Sequence, residues 1–339
     1  MSKLFSSYKL KNMELKNRIV MPPMCMYSAD NDGNPKDWHL IHYTTRAVGG
    51  TGLIILEATG VEPRGRISEN DLGIWKDEQI DGLKRIVDAC KVHGAKVGVQ
   101  LGHAGRKSEA FSEPSIAPSP IAYSDDYRMP LEMTKEDIKT VVAAFKEAAR
   151  RADLAGFDTI ELHAAHGYLI SEFLSPLTNH RTDEYGGEDK NRVRFLKEVL
   201  QAVKSVWPVE KPIIVRVSCD DFAEGGNHDV DMANMLNMVK EEGIDLVNVS
   251  AGGVVNVVPK VYPGYMITYA ETIKNVTGLP VMAGGLITSP ALAEEIVHNN
   301  RADLVFLGRE LLRNPYWPLG AAKELREDYI WPKQYQRAK

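Results

Sequence analysis

Eight short apolar runs are spaced along the chain, at residues 18–21, 53–57, 96–101, 159–163, 213–218, 246–250, 280–283 and 304–307. They are rich in Val, Ile and Leu and mostly uninterrupted by charge, as strands covered on both faces are. Between them the apolar period changes to that of a helix. Over 79–93, Ile80, Leu83, Ile86, Val87 and Cys90 share one face, and Gly94 stops the pattern. Over 134–155 the face is Ile138, Val141, Val142, Phe145 and Ala149. Thr134-Lys-Glu-Asp137 opens that helix like a capping box, with Asp in place of the usual Glu or Gln. Residues 189–206, 229–242, 267–277 and 289–299 behave similarly. Ahead of the first run, residues 8–17 resemble a hairpin with Lys11-Asn12 at its turn.

Eight strand–helix units predict an α/β fold, a single (β/α)8 TIM barrel over 1–339 with an N-terminal hairpin. A doubly wound open sheet is the structural alternative, but it leaves the strand ends described below without a reason. One stretch breaks the alternation. Residues 102–133 are rich in Ser, Pro and Ala, as in Ser115-Ile-Ala-Pro-Ser-Pro-Ile-Ala-Tyr123. A long insertion after the third strand predicts a lid over the site.

Composition adds exclusions. The 339 residues are 44% hydrophobic and 26% charged, with a net charge of -5. There is no basic excess for nucleic acid, and no apolar run long enough for a membrane span. The first eight residues lack the apolar core of a signal peptide, so the cytoplasm is the expected compartment. Cys25, Cys90 and Cys219 are too few and too scattered for a disulfide framework.

In such a barrel the chemistry sits at the C-terminal ends of the strands. The fourth strand ends in His163-Ala-Ala-His166-Gly-Tyr168, two imidazoles that can donate to an oxygen and a phenol that can give up a proton. The first runs into Pro22-Pro23-Met24-Cys25-Met26-Tyr27, the second into Glu57-Ala58, and the third carries Gln100 and then Arg106-Lys107. The fifth holds Arg216 inside an apolar run. The seventh and eighth end in Gly284-Gly285 and Gly308-Arg309. Each glycine group alone indicates only a tight turn. Together, at the usual phosphate position of a barrel, they form a cradle to which Arg309 adds charge. Arg216 suits either a buried ion pair with Glu161 or the N1–C2=O edge of a flavin. Gln100 fits a flavin's pyrimidine edge or a satisfied core amide. Cys25 is open to redox, metal or core roles, and Cys90 and Cys219 read as structural.

For His163 and His166, a metal site needs a third ligand, and Glu161, Glu172 and His180 lack motif spacing for it. A metal site, two satisfied histidines and an oxyanion-binding pair all stay open. On a helical turn His163 and His166 share a face while Tyr168 points elsewhere. Convergence of all three requires Gly167 to break that geometry, and spacing leaves the choice open.

These residues carry a resemblance to the old yellow enzyme family of FMN-dependent ene-reductases, more narrowly to bacterial NADPH dehydrogenases of its thermophilic-like class. It spans almost the whole chain. Its marks are Pro23-Met24-Cys25-Met26-Tyr27-Ser28, Gln100-Leu-Gly-His-Ala-Gly-Arg106, His163-Ala-Ala-His166-Gly-Tyr168-Leu169, Phe173-Leu-Ser-Pro-Leu-Thr-Asn179, Arg181-Thr-Asp-Glu-Tyr-Gly-Gly187 and Gly308-Arg309. The resemblance implies that FMN contacts Pro22, Pro23, Met24, Cys25, Ala58, Gln100, Arg216, Gly284, Gly285, Gly308 and Arg309. It implies that His163 and His166 hold the oxygen of an α,β-unsaturated carbonyl, nitro compound or quinone, that hydride passes from flavin N5 to the β-carbon, and that Tyr168 protonates the α-carbon. Tyr27 and Cys25 would touch substrate, with Cys25 also tuning the flavin. NADPH would be the reductant in a ping-pong cycle, with Lys107 helping to hold the nicotinamide or the substrate, and detoxification of electron-poor compounds the expected setting. Two departures stand out. Pro22 replaces a residue that is often Ser in relatives, removing a donor. The tail, 330–339, has no aromatic residue after Arg337, the residue that fits the place of an arginine entering a neighbouring subunit's site in a homodimer or homotetramer. The alternative from another class is a non-redox barrel binding a phosphorylated ligand. An aldolase-like version needs a strand-end Lys, and no strand interior carries a suitable one.

Overall fold

A computed structural model describes residues 2–110 and 113–339. Its centre is a closed barrel of eight parallel strands. They are β1 (Ile19–Met21), β2 (Leu53–Gly60), β3 (Lys96–Gly102), β4 (Thr159–Ala164), β5 (Ile213–Ser218), β6 (Leu246–Ser250), β7 (Val281–Ala283) and β8 (Leu304–Phe306). Every one pairs with its neighbours in chain order, and β8 returns to β1 through Val305 opposite Ile19. The predicted TIM barrel is thus the observed fold. Residues 111 and 112, within the expected lid, lie outside the described residues.

The barrel has two apolar layers. Val20, Leu53, Ile55, Ile214, Leu246, Met282 and Leu304 fill the interior, and Met13 and Leu15 of the N-terminal hairpin join them. That hairpin pairs Tyr8–Leu10 with Met13–Leu15, and Lys11 turns it at φ +50°. The second layer lies between strands and helices. Its helices are α1 (Asp37–Val48), α2 (Ile80–Lys91), α3 (Lys135–Leu154), α4 (Arg194–Lys204), α5 (Asp229–Val239), α6 (Ile267–Thr277), α7 (Pro290–His298) and α8 (Trp317–Glu324). Thr134 caps α3 as expected, its hydroxyl accepting from Asp137 N–H.

Three elements depart from the sequence pattern. The apolar side chains of α1, Trp38 and Ile41, are exposed, while His39, His42, Tyr43 and Arg46 face inward. This inverted polarity gives no helical apolar stripe to read. A six-residue helix, Leu169–Leu174, is buried throughout and so lacks amphipathic contrast. The helix expected over 189–206 is broken into Asp189–Arg192 and α4.

Two irregularities position the site. Strand β2 shifts register against β3 between Leu56 and Ala58. The Glu57 carboxylate consequently meets Tyr43 of α1 instead of the barrel interior. The insertion after β3 begins with a tight turn at Gly105–Lys107 and has no α-helix among its described residues before α3. Its far end is pinned by Arg181, whose guanidinium donates to Pro118 O and Met133 O.

Candidate active site

The end of β4 is not helical. His166 and Gly167 both adopt left-handed conformations, at φ +60° and +69°. Two such residues in succession reverse the chain, and Tyr168 then precedes the helix Leu169–Leu174. The reversal brings the three side chains together. The His163 ring lies 5.2 Å from the His166 ring and 4.8 Å from the Tyr168 ring, with His166 and Tyr168 at 6.5 Å. Gly167 is essential to the fit: a Cβ there would stand 2.3 Å from Gly253 O.

Hydrogen bonds assign the imidazole protons. His163 Nδ1 accepts from Ala165 N–H at 3.3 Å, which leaves the proton on Nε2. His166 Nε2 is 2.7 Å from Ser250 Oγ. With the hydroxyl donating there, the proton of His166 sits on Nδ1. Each ring therefore keeps one N–H for a ligand. Burial first, then Arg216 and Lys107, pushes both imidazoles well below their usual range, so both are neutral donors. Burial also pushes the Tyr168 phenol well above its usual value, with Cys25 and Tyr27 adding to the effect, so Tyr168 keeps its proton.

Lys107 braces this turn. Its ammonium donates to His166 O at 3.0 Å and Gly253 O at 3.2 Å. It lies 4.2 Å from the centre of the Tyr123 ring and 5.1 Å from that of Tyr168. Burial lowers its pKa to about 8. Two carbonyls and two ring faces nonetheless favour the charged form, so it is an ammonium at neutral pH. Arg106 ties the same region together, donating to Val254 O and, through a second nitrogen, to Ile121 O and Ala122 O. Beneath both, Glu172 is wholly buried. One of its oxygens accepts from Arg106 N–H, and the other has no partner among the described residues.

Beside the three rings lies a cavity of about 300 Å³ walled by Pro22, Pro23, Met24, Arg216, Gly285, Gly308 and Arg309 among others. Seven residues anticipated for FMN thus share one wall. Phe306 and Tyr265 line the same cavity and were not anticipated. Both are aromatic residues whose strand-end or loop positions carry no motif. The remaining anticipated residues are nearby or behind. Ala58 shares a narrow pocket with His163 and Tyr168. The Cys25 thiol hydrogen-bonds Tyr27 and the backbone of Ala58, and burial raises it well above its usual value, so it is no thiolate. Tyr27 is half exposed at the mouth. Gly284 lies under the Phe306 ring, one residue back from the wall. Arg337 sits in an exposed turn of the tail, Lys333–Ala338.

The cavity is chemically incomplete in a way that suits FMN. Arg216 on β5 is buried, and its Nε has no partner. The alternative reading, an ion pair with Glu161, is not made: that carboxylate accepts from Gln100 Nε2 and Asn248 Nδ2, both at 2.7 Å. Among the described residues no carboxylate lies within ion-pair distance of Arg216, so the guanidinium requires an acceptor from a ligand. The electron-rich edge of a flavin supplies one. Gln100 keeps its amide oxygen free for a ring N–H. At the other end Gly285, at φ +102°, opens the backbone beside Arg309, the place for a phosphate. No cluster of metal ligands is present among the described residues, and no helix among them is long and apolar enough to cross a membrane.

A buried cationic donor, a phosphate end and a hydrogen-bonding pair in one barrel mouth describe a flavin oxidoreductase. Residues 3–328 match the NADH:flavin oxidoreductase / NADH oxidase family, and the chain belongs to it. It is 55% identical over 337 residues to the NADPH dehydrogenase of Clostridium acetobutylicum, spanning 99% of both chains. It is 57% identical over 335 residues to the NADPH dehydrogenase of Geobacillus thermodenitrificans, spanning 98% of both. The old yellow enzyme homologue from Zymomonas mobilis has a similar structure, with a TM-score of 0.82 and 28% identity over 99% of this chain and 98% of that one. The protein is therefore an oxidoreductase of the old yellow enzyme type, with FMN as the flavin of its family. This sets aside the non-redox barrel.

Proposed function

We propose that the protein uses NADPH to reduce the C=C bond of activated alkenes, taking α,β-unsaturated carbonyls and, by the same chemistry, nitroalkenes and quinones. The convergence of the three rings beside Arg216, whose Nε has no hydrogen-bond partner among the described residues, carries the reading. FMN held by Arg216, Gly285 and Arg309 would, after reduction by NADPH, supply the hydride that the β-carbon takes. His163 Nε2–H and His166 Nδ1–H donate to the substrate oxygen and stabilise the negative charge that grows on it. Neutral donors suit this task because they bind the oxygen without transferring a proton early. Tyr168 holds its proton until the α-carbon becomes basic enough to take it. Arg216 stabilises the electron-rich flavin edge, and Cys25 and Tyr27 bound the substrate from the β1 side.

Tyr168→Phe separates the two half-reactions under anaerobic conditions. Flavin bleaching by NADPH should remain within a few-fold of wild type, while reoxidation by an enone such as cyclohexenone should slow by about 10²-fold or more. Equal loss in both halves would assign Tyr168 another role.

The α1 face supports assembly with a second copy. Trp38 and Ile41 are exposed, and Tyr316 and Tyr335 meet beside them at 5.7 Å between ring centres. Two residues after Tyr335, Arg337 then reaches the neighbouring site in a homodimer or a homotetramer of dimers. Electron-poor xenobiotics fit this chemistry as substrates, and the cytoplasm, where NADPH is regenerated, fits it as a compartment.

A further inference from the structure

A buried titratable cluster lies behind the β1 loop, outside the reacting groups. Glu57, at the register shift of β2, is fully buried. One carboxylate oxygen accepts from Met26 N–H at 2.8 Å. The other accepts from the Tyr43 hydroxyl at 2.8 Å, and His39 Nε2 is 3.5 Å away. Tyr43 in turn accepts from Glu57 N–H. His39 Nδ1 accepts from Lys36 N–H at 3.0 Å, so the ring carries its proton on Nε2, which faces the carboxylate without making a hydrogen bond among the described residues. Both hydrogen-bonded neighbours, Met26 N–H and the Tyr43 hydroxyl, are donors, and His39 presents a further N–H at longer range. Only the ionised carboxylate answers them; a protonated one must aim its own hydrogen at a donor.

The loop that Glu57 holds is under backbone strain. Tyr27, directly after Met26, has φ +50°, a conformation that side-chain-bearing residues rarely adopt. Ser28 Oγ donates to Met26 O at 2.8 Å, so both halves of Met26 are fastened. Met24 on this loop lines the cofactor cavity, and Cys25 and Tyr27 hydrogen-bond each other at its edge.

We propose that Glu57 is the positioning residue of the Met24–Tyr27 loop: its carboxylate, gripped by Met26 and Tyr43, holds the loop against the cofactor cavity and releases it on taking up a proton. Burial raises the Glu57 carboxyl to about 7, opposed by the Met26 and Tyr43 hydrogen bonds and reinforced by Asp71. The other titratable groups facing it are Tyr43, Cys25 and His39. Tyr43 and Cys25 are both raised far from neutrality and His39 is lowered, each mainly by burial. The release therefore follows Glu57, as pH falls through about 7. It rests on the proposed function only in calling the cavity a cofactor site.

The test reads the loop directly, by the rate at which iodoacetamide alkylates Cys25 in the FMN-loaded enzyme, assigned by mass spectrometry. Cys90 and Cys219 are buried internal controls. Glu57→Gln carries one acceptor oxygen and aims its amino hydrogens at Tyr43, as the protonated acid does, so it mimics the released state and cannot titrate. The wild-type rate divided by the Glu57→Gln rate cancels the ionisation of the thiol. This ratio should be near one-tenth at about pH 8, where the charged carboxylate holds the loop, and approach one by about pH 6, the loss of one hydrogen bond to a charged group. Glu57→Leu, where it folds, should be labelled fast throughout. A ratio that stays flat overturns the proposal, and does so whatever the enzyme's activity on alkenes.

Discussion

Gly167→Ala tests whether the reversal after β4 is what brings the catalytic rings together. A Cβ at this position lies 2.3 Å from Gly253 O, 2.9 Å from Val254 Cα and 3.0 Å from Gly253 C. Carbon and oxygen normally stay at least about 3.3 Å apart, so one backbone must retreat by about 1 Å. The contact is with backbone, so no rotamer change relieves it. Retreat also stretches the Lys107 bridge between His166 O and Gly253 O. Left-handed φ costs a side-chain-bearing residue roughly 1–2 kcal/mol. A weakened hydrogen bond to the ammonium adds roughly 1.5–3 kcal/mol, for a total of roughly 3–5 kcal/mol. Gly187→Ala is the matched control, since φ there is +81° but nothing lies within 4 Å of the added methyl. It should lose only the roughly 1–2 kcal/mol of backbone strain and keep its activity. Because His166 and Tyr168 flank Gly167, a displacement of about 1 Å should slow alkene-dependent reoxidation by about 10²-fold. Chemical denaturation and anaerobic stopped-flow measure the two effects. Equal losses of stability and rate in both variants would refute the argument.

Glu172→Gln should change how stability depends on pH. Burial raises the Glu172 carboxyl from 4.5 to about 8, against the lowering effect of Arg106. The folded state then holds a proton that the unfolded state has released, so wild-type stability falls as pH rises from 4.5 to about 8. The variant lacks that slope and should gain roughly 2–3 kcal/mol on wild type between about pH 6 and pH 9; parallel unfolding profiles would exclude the shift. Glu57 remains in both proteins, so its slope cancels from the comparison. Arg337→Ala should raise the dissociation constant of a phenolic ligand such as 4-hydroxybenzaldehyde by about tenfold while leaving the oligomeric mass unchanged. Unaltered binding would mean that Arg337 does not reach a neighbouring site.

The barrel and the residues on its strands were legible because a parallel strand buried on both faces writes its position in an unbroken apolar run. Once β4 and β5 are located, His163 and Arg216 are placed by strand geometry, whatever the loops do. Pro22, Met24, Gly285 and Arg309 follow because they directly succeed such runs. Helix α1 was illegible for the opposite reason. It turns His39, Tyr43 and Arg46 inward, and Arg46 finds a partner far along the chain at Leu311 O, 265 positions away. The bend at His166 was out of reach too. Spacing tests a regular helix, whereas the left-handed pair is held by Gly253 and by Lys107, an ammonium 59 positions from one of its carbonyls and 146 from the other. Sequence order therefore locates groups carried by the barrel wall, while groups that act by joining two loops become visible only when those loops are side by side. The proposed roles of Glu57 and Lys107 are of the second kind.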